Sequence, residues 1–129
     1  MAILKHIFTW WNGATLGTII FSRRNGAKVG TDSLGNVYFQ GGTDVHGKPR
    51  RWVMYAGAND ASRVPPEWHV WLHGTTDLVP EELPPPRPWI KPAVPNLTGT
   101  AAAFRPSGAM ERGGNRAAAT GDYEAWSPN

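Results

Sequence analysis

There is no cysteine among the 129 residues. The chain forms no disulfide and offers no thiolate to an iron–sulfur cluster, so no electron-carrying role is expected of it. No apolar run reaches the length of about 18 residues that a membrane-crossing helix needs. The start of the chain lacks a long apolar stretch followed by a small-residue cleavage site, which argues against secretion. It carries no acidic residue before Asp32, as transit peptides do, yet it is poor in Ser and Arg and moves straight into sequence that looks folded. A mature or bacterial cytoplasmic protein fits that start better.

The motifs of catalysis are missing as well. There is no GxSxG, no phosphate loop with its Lys-Ser/Thr, and no GxGxxG after a strand. Glu81-Glu82 is a carboxylate pair, but it stands in a proline-rich stretch, where nothing dries or fixes it for acid–base work. His69 and His73 have the i, i+4 spacing of metal ligands, and His46 or Glu67 would be the further ligands. Glu67 precedes His69, however, and no HExxH is formed. Capping a helix end or hydrogen bonding to a partner suits these histidines better. No catalytic residue, cofactor or metal is expected.

What is present divides unevenly. Proline is absent before Pro49, and seven of the twelve prolines fall between Pro80 and Pro95. From Pro80 to the end only nine of 50 residues are large and apolar, among them Trp89, Phe104, Tyr123 and Trp126. Such a segment buries too little to offset its ordering entropy. The expected division is a small folded domain over residues 1–79 and an extended tail over 80–129. The net charge of +3 lies in the first part, with eight Lys/Arg against five Asp/Glu, and the tail is balanced at five of each. A basic excess of this size suits an acidic protein surface, an anionic membrane or nucleic acid alike.

Within the domain, Ala2 to Trp11 (AILKHIFTWW) places apolar residues on one helical face, closed by Asn12-Gly13. That helix suits packing on its own domain or lying on a partner or at a membrane interface. Thr15 to Ser22 is β-branched and aromatic and reads as a strand, with Asn25-Gly26 as a hairpin turn. Ala27 to Asp32 returns, Ser33 to Asn36 turns again, and Val37 to Gln40 and Arg51 to Tyr55 complete an antiparallel meander. The stretch from Arg50 to His73 holds three of the seven tryptophans. Pro65-Pro66 opens a short helix, Glu67 suits its first turn, and Gly74 ends it. Trp68, Trp71 and Leu72 recur at i, i+3, i+4, so one face should pack on the meander. The fold class is α+β: a small antiparallel meander with an N-terminal helix and one short helix on it, followed by the tail.

RRWVMY at Arg50 to Tyr55 with VPPEWHVWLH at Val64 to His73 resembles the signature of a family of small accessory subunits of the proton-pumping NADH:ubiquinone oxidoreductase, respiratory complex I. The resemblance extends to ATLGT (Ala14 to Thr18), VGTDSLGNVYF (Val29 to Phe39), NLTGT (Asn96 to Thr100) and DYEAWSP (Asp122 to Pro128). Thr31 departs from the pattern, which carries an acidic residue there and leaves charge pairing at that position open. The resemblance implies a non-catalytic subunit that contacts iron–sulfur subunits of the hydrophilic arm near its quinone end. It would lie on the cytoplasmic face of a bacterial inner membrane, or on the matrix face in mitochondria, with membrane contact indirect through the complex or through the N-terminal helix. The family also includes an assembly factor, which is the alternative reading; the DYEAWSP end of the tail favours the resident subunit.

Arg50, Arg51, His69, His73, Trp89, Phe104, Tyr123 and Trp126 are the candidate partner-binding residues. The last four are rings too costly to leave wet in a tail that cannot fold around them. A different class stays open on the residues alone. Arg23, Arg24, Lys28, Arg50 and Arg51 interleave with Tyr38, Phe39 and Trp52, a composition shared with single-strand nucleic-acid platforms. The RNA-recognition signature is missing, however, the alternation is as easily core-in and charge-out, and no nucleic-acid partner is expected. The PPRP run at Pro85 to Pro88 is likewise shared between spacers and ligands of aromatic grooves.

Overall fold

A computed structural model describes residues 13–128. The helix expected over Ala2 to Trp11 lies outside the described residues. Those described contain α1 (Leu16–Asn25), β1 (Ala27–Thr31), β2 (Val37–Thr43), β3 (Pro49–Met54) and α2 (Pro66–Leu72). Short 3-10 turns occupy Ala61–Arg63, Pro80–Glu82 and Met110–Arg112. The strands form one antiparallel sheet in the order β1-β2-β3. This is the expected α+β class, a small meander with helices on it.

One element differs from expectation. Thr15 to Ser22 is not a strand, and Asn25-Gly26 is not a hairpin turn; Thr15 and Gly26 cap α1, and Leu16–Asn25 between them form it. Thr15 caps the helix, its Oγ1 accepting from the Thr18 N–H at 3.3 Å. The Gly26 N–H closes the last turn on Ser22 O at 3.0 Å, and Asn25 Nδ2 donates to Phe21 O. Long-range packing overrides the β-branched composition. Ser22 is fully buried and its Oγ accepts from Trp52 Nε1 at 2.9 Å, thirty residues away. Phe21 and Phe39 flank the same indole, with ring centres 5.7 and 6.0 Å from it.

The register divides the sheet residues between two faces. Phe39 pairs with Trp52 and both lie toward α1, while the neighbouring pair, Tyr38 with Val53, lies toward α2. On that second face is the core. Tyr38 stacks on Trp68 at 4.0 Å with the rings nearly parallel, and Trp71 stands edge-on to both. Tyr38, Val64, Trp68 and Trp71 are buried, and Val53, Tyr55, Leu72 and Val79 pack around them. Gly30 on β1 makes this approach possible, since a Cβ there would stand 2.5 Å from the Trp68 ring. α2 ends as its sequence leads one to expect. Gly74 takes φ +68°, the Gly74 N–H donates to Trp71 O, and the Thr75 N–H donates to Val70 O.

By its internal contacts the chain groups into two compact units, divided between Asn96 and Leu97. In the first, the proline-rich stretch follows α2 and reaches Asn96, whose N–H donates to Ser62 Oγ at 2.8 Å. Pro92, Ala93 and Pro95 there border a cavity of about 250 Å³ with Leu34, Ser62 and Arg63. The second unit, taken over its described residues, has turns and the Met110–Arg112 3-10 turn but no strand or α-helix.

Candidate partner-binding site

β3 and the end of α2 bring four of the candidate residues together. Arg51 lies on the α2 face of β3, its side chain only 6% exposed. One nitrogen of its guanidinium, Nη1, donates to Trp71 O at 2.6 Å and to Thr76 O at 2.9 Å, while Nη2 pairs with Asp77. The guanidinium also sits 4.8 Å from the centre of the Trp71 ring, in cation–π contact. Its Nε is buried with no partner among the described residues. Arg51 thus latches the sheet to the helix C-terminus, where a cation complements the dipole.

Arg50 is exposed on the same strand. Together with Lys48, Leu72, His73, Gly74 and Asp77 it lines a cleft of about 500 Å³ beside the latch. His69 and His73 are exposed and stack at 4.0 Å between ring centres, with His73 Nδ1 3.0 Å from His69 O. Among the described residues, no three His, Asp or Glu side chains gather as metal ligands.

The aromatic candidates are wet. Trp89 is 73% exposed and lies near the Arg87 guanidinium, 5.8 Å from its ring centre. In the second unit Phe104 and Tyr123 are each 89% exposed and Trp126 83%. The basic and aromatic strand residues do not share one open face. Tyr38 and Arg51 are covered by α2, and Trp52 is turned to α1.

Two groupings escaped the sequence reading. The first is a buried polar network beneath the core. Asp32 Oδ1 accepts from the Leu34 and Asn36 N–H groups, both at 2.9 Å. Asp32 Oδ2 accepts from Asn36 Nδ2 and from the Tyr38 hydroxyl, both at 2.8 Å. Asn36, fully buried, also donates to Arg63 O and accepts from the Ala56 N–H. It therefore joins the β1–β2 turn to the segment leading into α2. Burial, reinforced by the Asp32 carboxylate, holds the Tyr38 hydroxyl well above the ordinary tyrosine range. An Asp opening a turn that closes on Asn was the available signal. The second is the pairing of Arg116 with Asp122. Arg116 first, then the Ala119 N–H, holds the Asp122 carboxyl below the usual carboxylate range.

Comparison with known proteins places this arrangement. Residues 26–128 match the family model of NADH ubiquinone oxidoreductase subunit NDUFA12. The NADH dehydrogenase [ubiquinone] 1 alpha subcomplex subunit 12 of Dictyostelium discoideum is 39% identical over 84 residues, 63% of this chain and 60% of that protein. The subunit of the same name from Bos taurus is 44% identical over 71 residues, 48% of each chain. An uncharacterized protein of Rickettsia prowazekii is 33% identical over 58 residues, 43% of this chain and 58% of that one. The chain therefore spans roughly half to three fifths of the length of these relatives. With the family model running from the first residues before the sheet through the DYEAWSP motif, the chain belongs to the NDUFA12 family of NADH ubiquinone oxidoreductase subunits.

Proposed function

We propose that this protein is a non-catalytic accessory subunit of the proton-pumping NADH:ubiquinone oxidoreductase, respiratory complex I. It stabilises the hydrophilic arm near the iron–sulfur subunits at the quinone end and contributes no active site, cofactor or metal of its own. It works on the cytoplasmic face of the bacterial inner membrane, or on the matrix face of the mitochondrial one. Its contact with lipid is indirect through the complex or is made by the N-terminal stretch; among the described residues no helix is long and apolar enough to cross a membrane.

The family match over residues 26–128 is the observation that carries this reading. Within that role we read a division of labour. The sheet and α2 form an anchor, along which the tail runs from Pro80 to Asn96 before it extends over neighbouring subunits. At polyproline spacing, about 3.1 Å per residue, the stretch Leu97–Asn129 reaches at most roughly 100 Å, enough to span more than one neighbour. Trp89, Phe104, Tyr123 and Trp126 are the anchors of the tail, because rigid rings bury much area at low entropic cost. Arg50 and His73, exposed beside the Arg51 latch, are the polar contacts of the anchor.

The test is to solubilise respiratory membranes in mild detergent and separate the complexes by size under native conditions. This chain is expected to migrate with NADH dehydrogenase activity, in constant ratio to it. A chain found wholly in a small, free pool contradicts the proposal.

A further inference from the structure

The stretch from Arg116 to Asp122 contains only Ala, Thr and Gly between its ends, so no large apolar side chain can hold it closed. It is closed nonetheless, by charge and backbone. The guanidinium of Arg116 grips Asp122 as a fork, Nη1 donating to Oδ2 at 3.0 Å and Nη2 to Oδ1. Asp122 Oδ2 also accepts from the Ala119 N–H at 2.7 Å. The Asp122 N–H returns to Ala119 O at 3.0 Å, so Thr120-Gly121 form the tip of a turn. Arg116 Nη1 further donates to Ala117 O at 3.1 Å. The stem of Arg116 runs close past Gly108, where a Cβ would stand 3.3 Å from that of Arg116.

Both partners are partly exposed, Arg116 at 56% and Asp122 at 33%. A pair in that setting adds little to global stability. Its effect is on order. It fixes the backbone immediately before Tyr123, 89% exposed, and three residues further on Trp126, 83% exposed. Rings presented from a closed loop lose less freedom on docking than rings on an open chain.

We propose that Arg116 and Asp122 form a clip that pre-folds residues 116–122 and so presents Tyr123 and Trp126 to one apolar pocket on a neighbouring protein. The inference rests on the accessory-subunit reading and names the chemistry of its tail contact. The pocket takes two aromatic rings and offers acceptors at its mouth for the Tyr hydroxyl and the indole N–H. A basic group at its rim faces Glu124, which stands between the rings, since Arg116 is already engaged by Asp122. Arg116 and Asp122 are positioning residues that act through the two rings.

Retention of the full-length chain on the detergent-solubilised complex, followed through dilution, tests this. Asp122→Ala and Arg116→Met are each expected to speed loss of the chain by up to about tenfold, the range of one or two unordered side chains. Arg116→Lys, which keeps the charge but not the fork, should restore part of the retention. Thermal melting of the free chain should be unchanged in all three. The decisive comparison adds Asp122→Ala to a Tyr123→Ala, Trp126→Ala double variant: with the rings gone, opening the clip should change nothing more. Wild-type retention of Asp122→Ala overturns the clip. An additive effect on the ring-less variant overturns its action through the rings. If the unaltered chain itself fails to migrate with the complex, the accessory-subunit reading fails instead, which is a separate result.

Discussion

At Trp71, 1% exposed, the contacts of three elements meet: Tyr38 from β2, Arg51 from β3, and Trp68 from the preceding turn of α2. Truncation there or at Trp68 leaves a cavity that so small a core has little means to fill. Trp71→Ala or Trp68→Ala is expected to destabilise by about 3–5 kcal/mol in thermal or urea unfolding. That is a large share of what holds a small domain together. Gly30→Ala should also destabilise, because the new Cβ would press at 2.5 Å on the edge of a Trp68 ring that is held by its stack on Tyr38. Tyr38 gives a pH signature. Burial first, then Asp32, raises its hydroxyl above the ordinary value of 10.0. Above that pH the unfolded chain releases a proton that the folded chain keeps, so the folded state binds more protons and stability falls as pH rises. Tyr55, raised by burial and Asp60, adds in the same direction. Tyr38→Phe should be less stable near neutrality, having lost the bond to Asp32, yet its stability should fall less steeply beyond pH 10. Urea melts across that range, compared with the unaltered chain, check the sign.

Among the elements, α2 was legible and α1 was not, and the difference is one of range. Everything that makes α2 a helix lies within ten residues: Pro65-Pro66 at its start, tryptophans at i and i+3, and Gly74 at its end. α1 is made a helix by Thr15 locally and by Trp52 from thirty residues away, against a composition that favours strand. Strand alternation likewise shows that Arg51 and Trp52 face opposite ways, but not which of them meets α2. It is the arginine, and its burial converts a presumed surface charge into the latch between sheet and helix. Arg51→Met should destabilise by about 1–3 kcal/mol, since it strands the Thr76 carbonyl and leaves Trp71 O with its bond from the Gly74 N–H. Asp77→Ala should cost less than about 1 kcal/mol, because that carboxylate is 90% exposed. Equal losses in the two variants would show that the ion pair, and not the pair of carbonyls, is what the latch supplies. Of the candidate site, the tail aromatics proposed as anchors could be named from composition alone, whereas the Asp32–Asn36 network could not. Its partners, Arg63 O and the Ala56 N–H, are backbone groups that a sequence does not mark.

On the scale of the whole molecule, the buried rings cluster around α2, and the most exposed of the described Phe, Tyr and Trp rings follow it in the sequence. On the proposed reading, the fold is the anchor and the exposed rings meet neighbours. A free tail should therefore be open to attack, and a bound one covered. Limited proteolysis of the full-length chain, once purified alone and once within the detergent-solubilised complex, measures this directly. In the free chain, cuts are expected early and between Leu97 and Trp126, while the sheet and α2 persist. Within the complex the same bonds should survive under the same protease dose, with Tyr123 and Trp126 still attached. A tail cut equally fast in both states would contradict its proposed role on partner subunits.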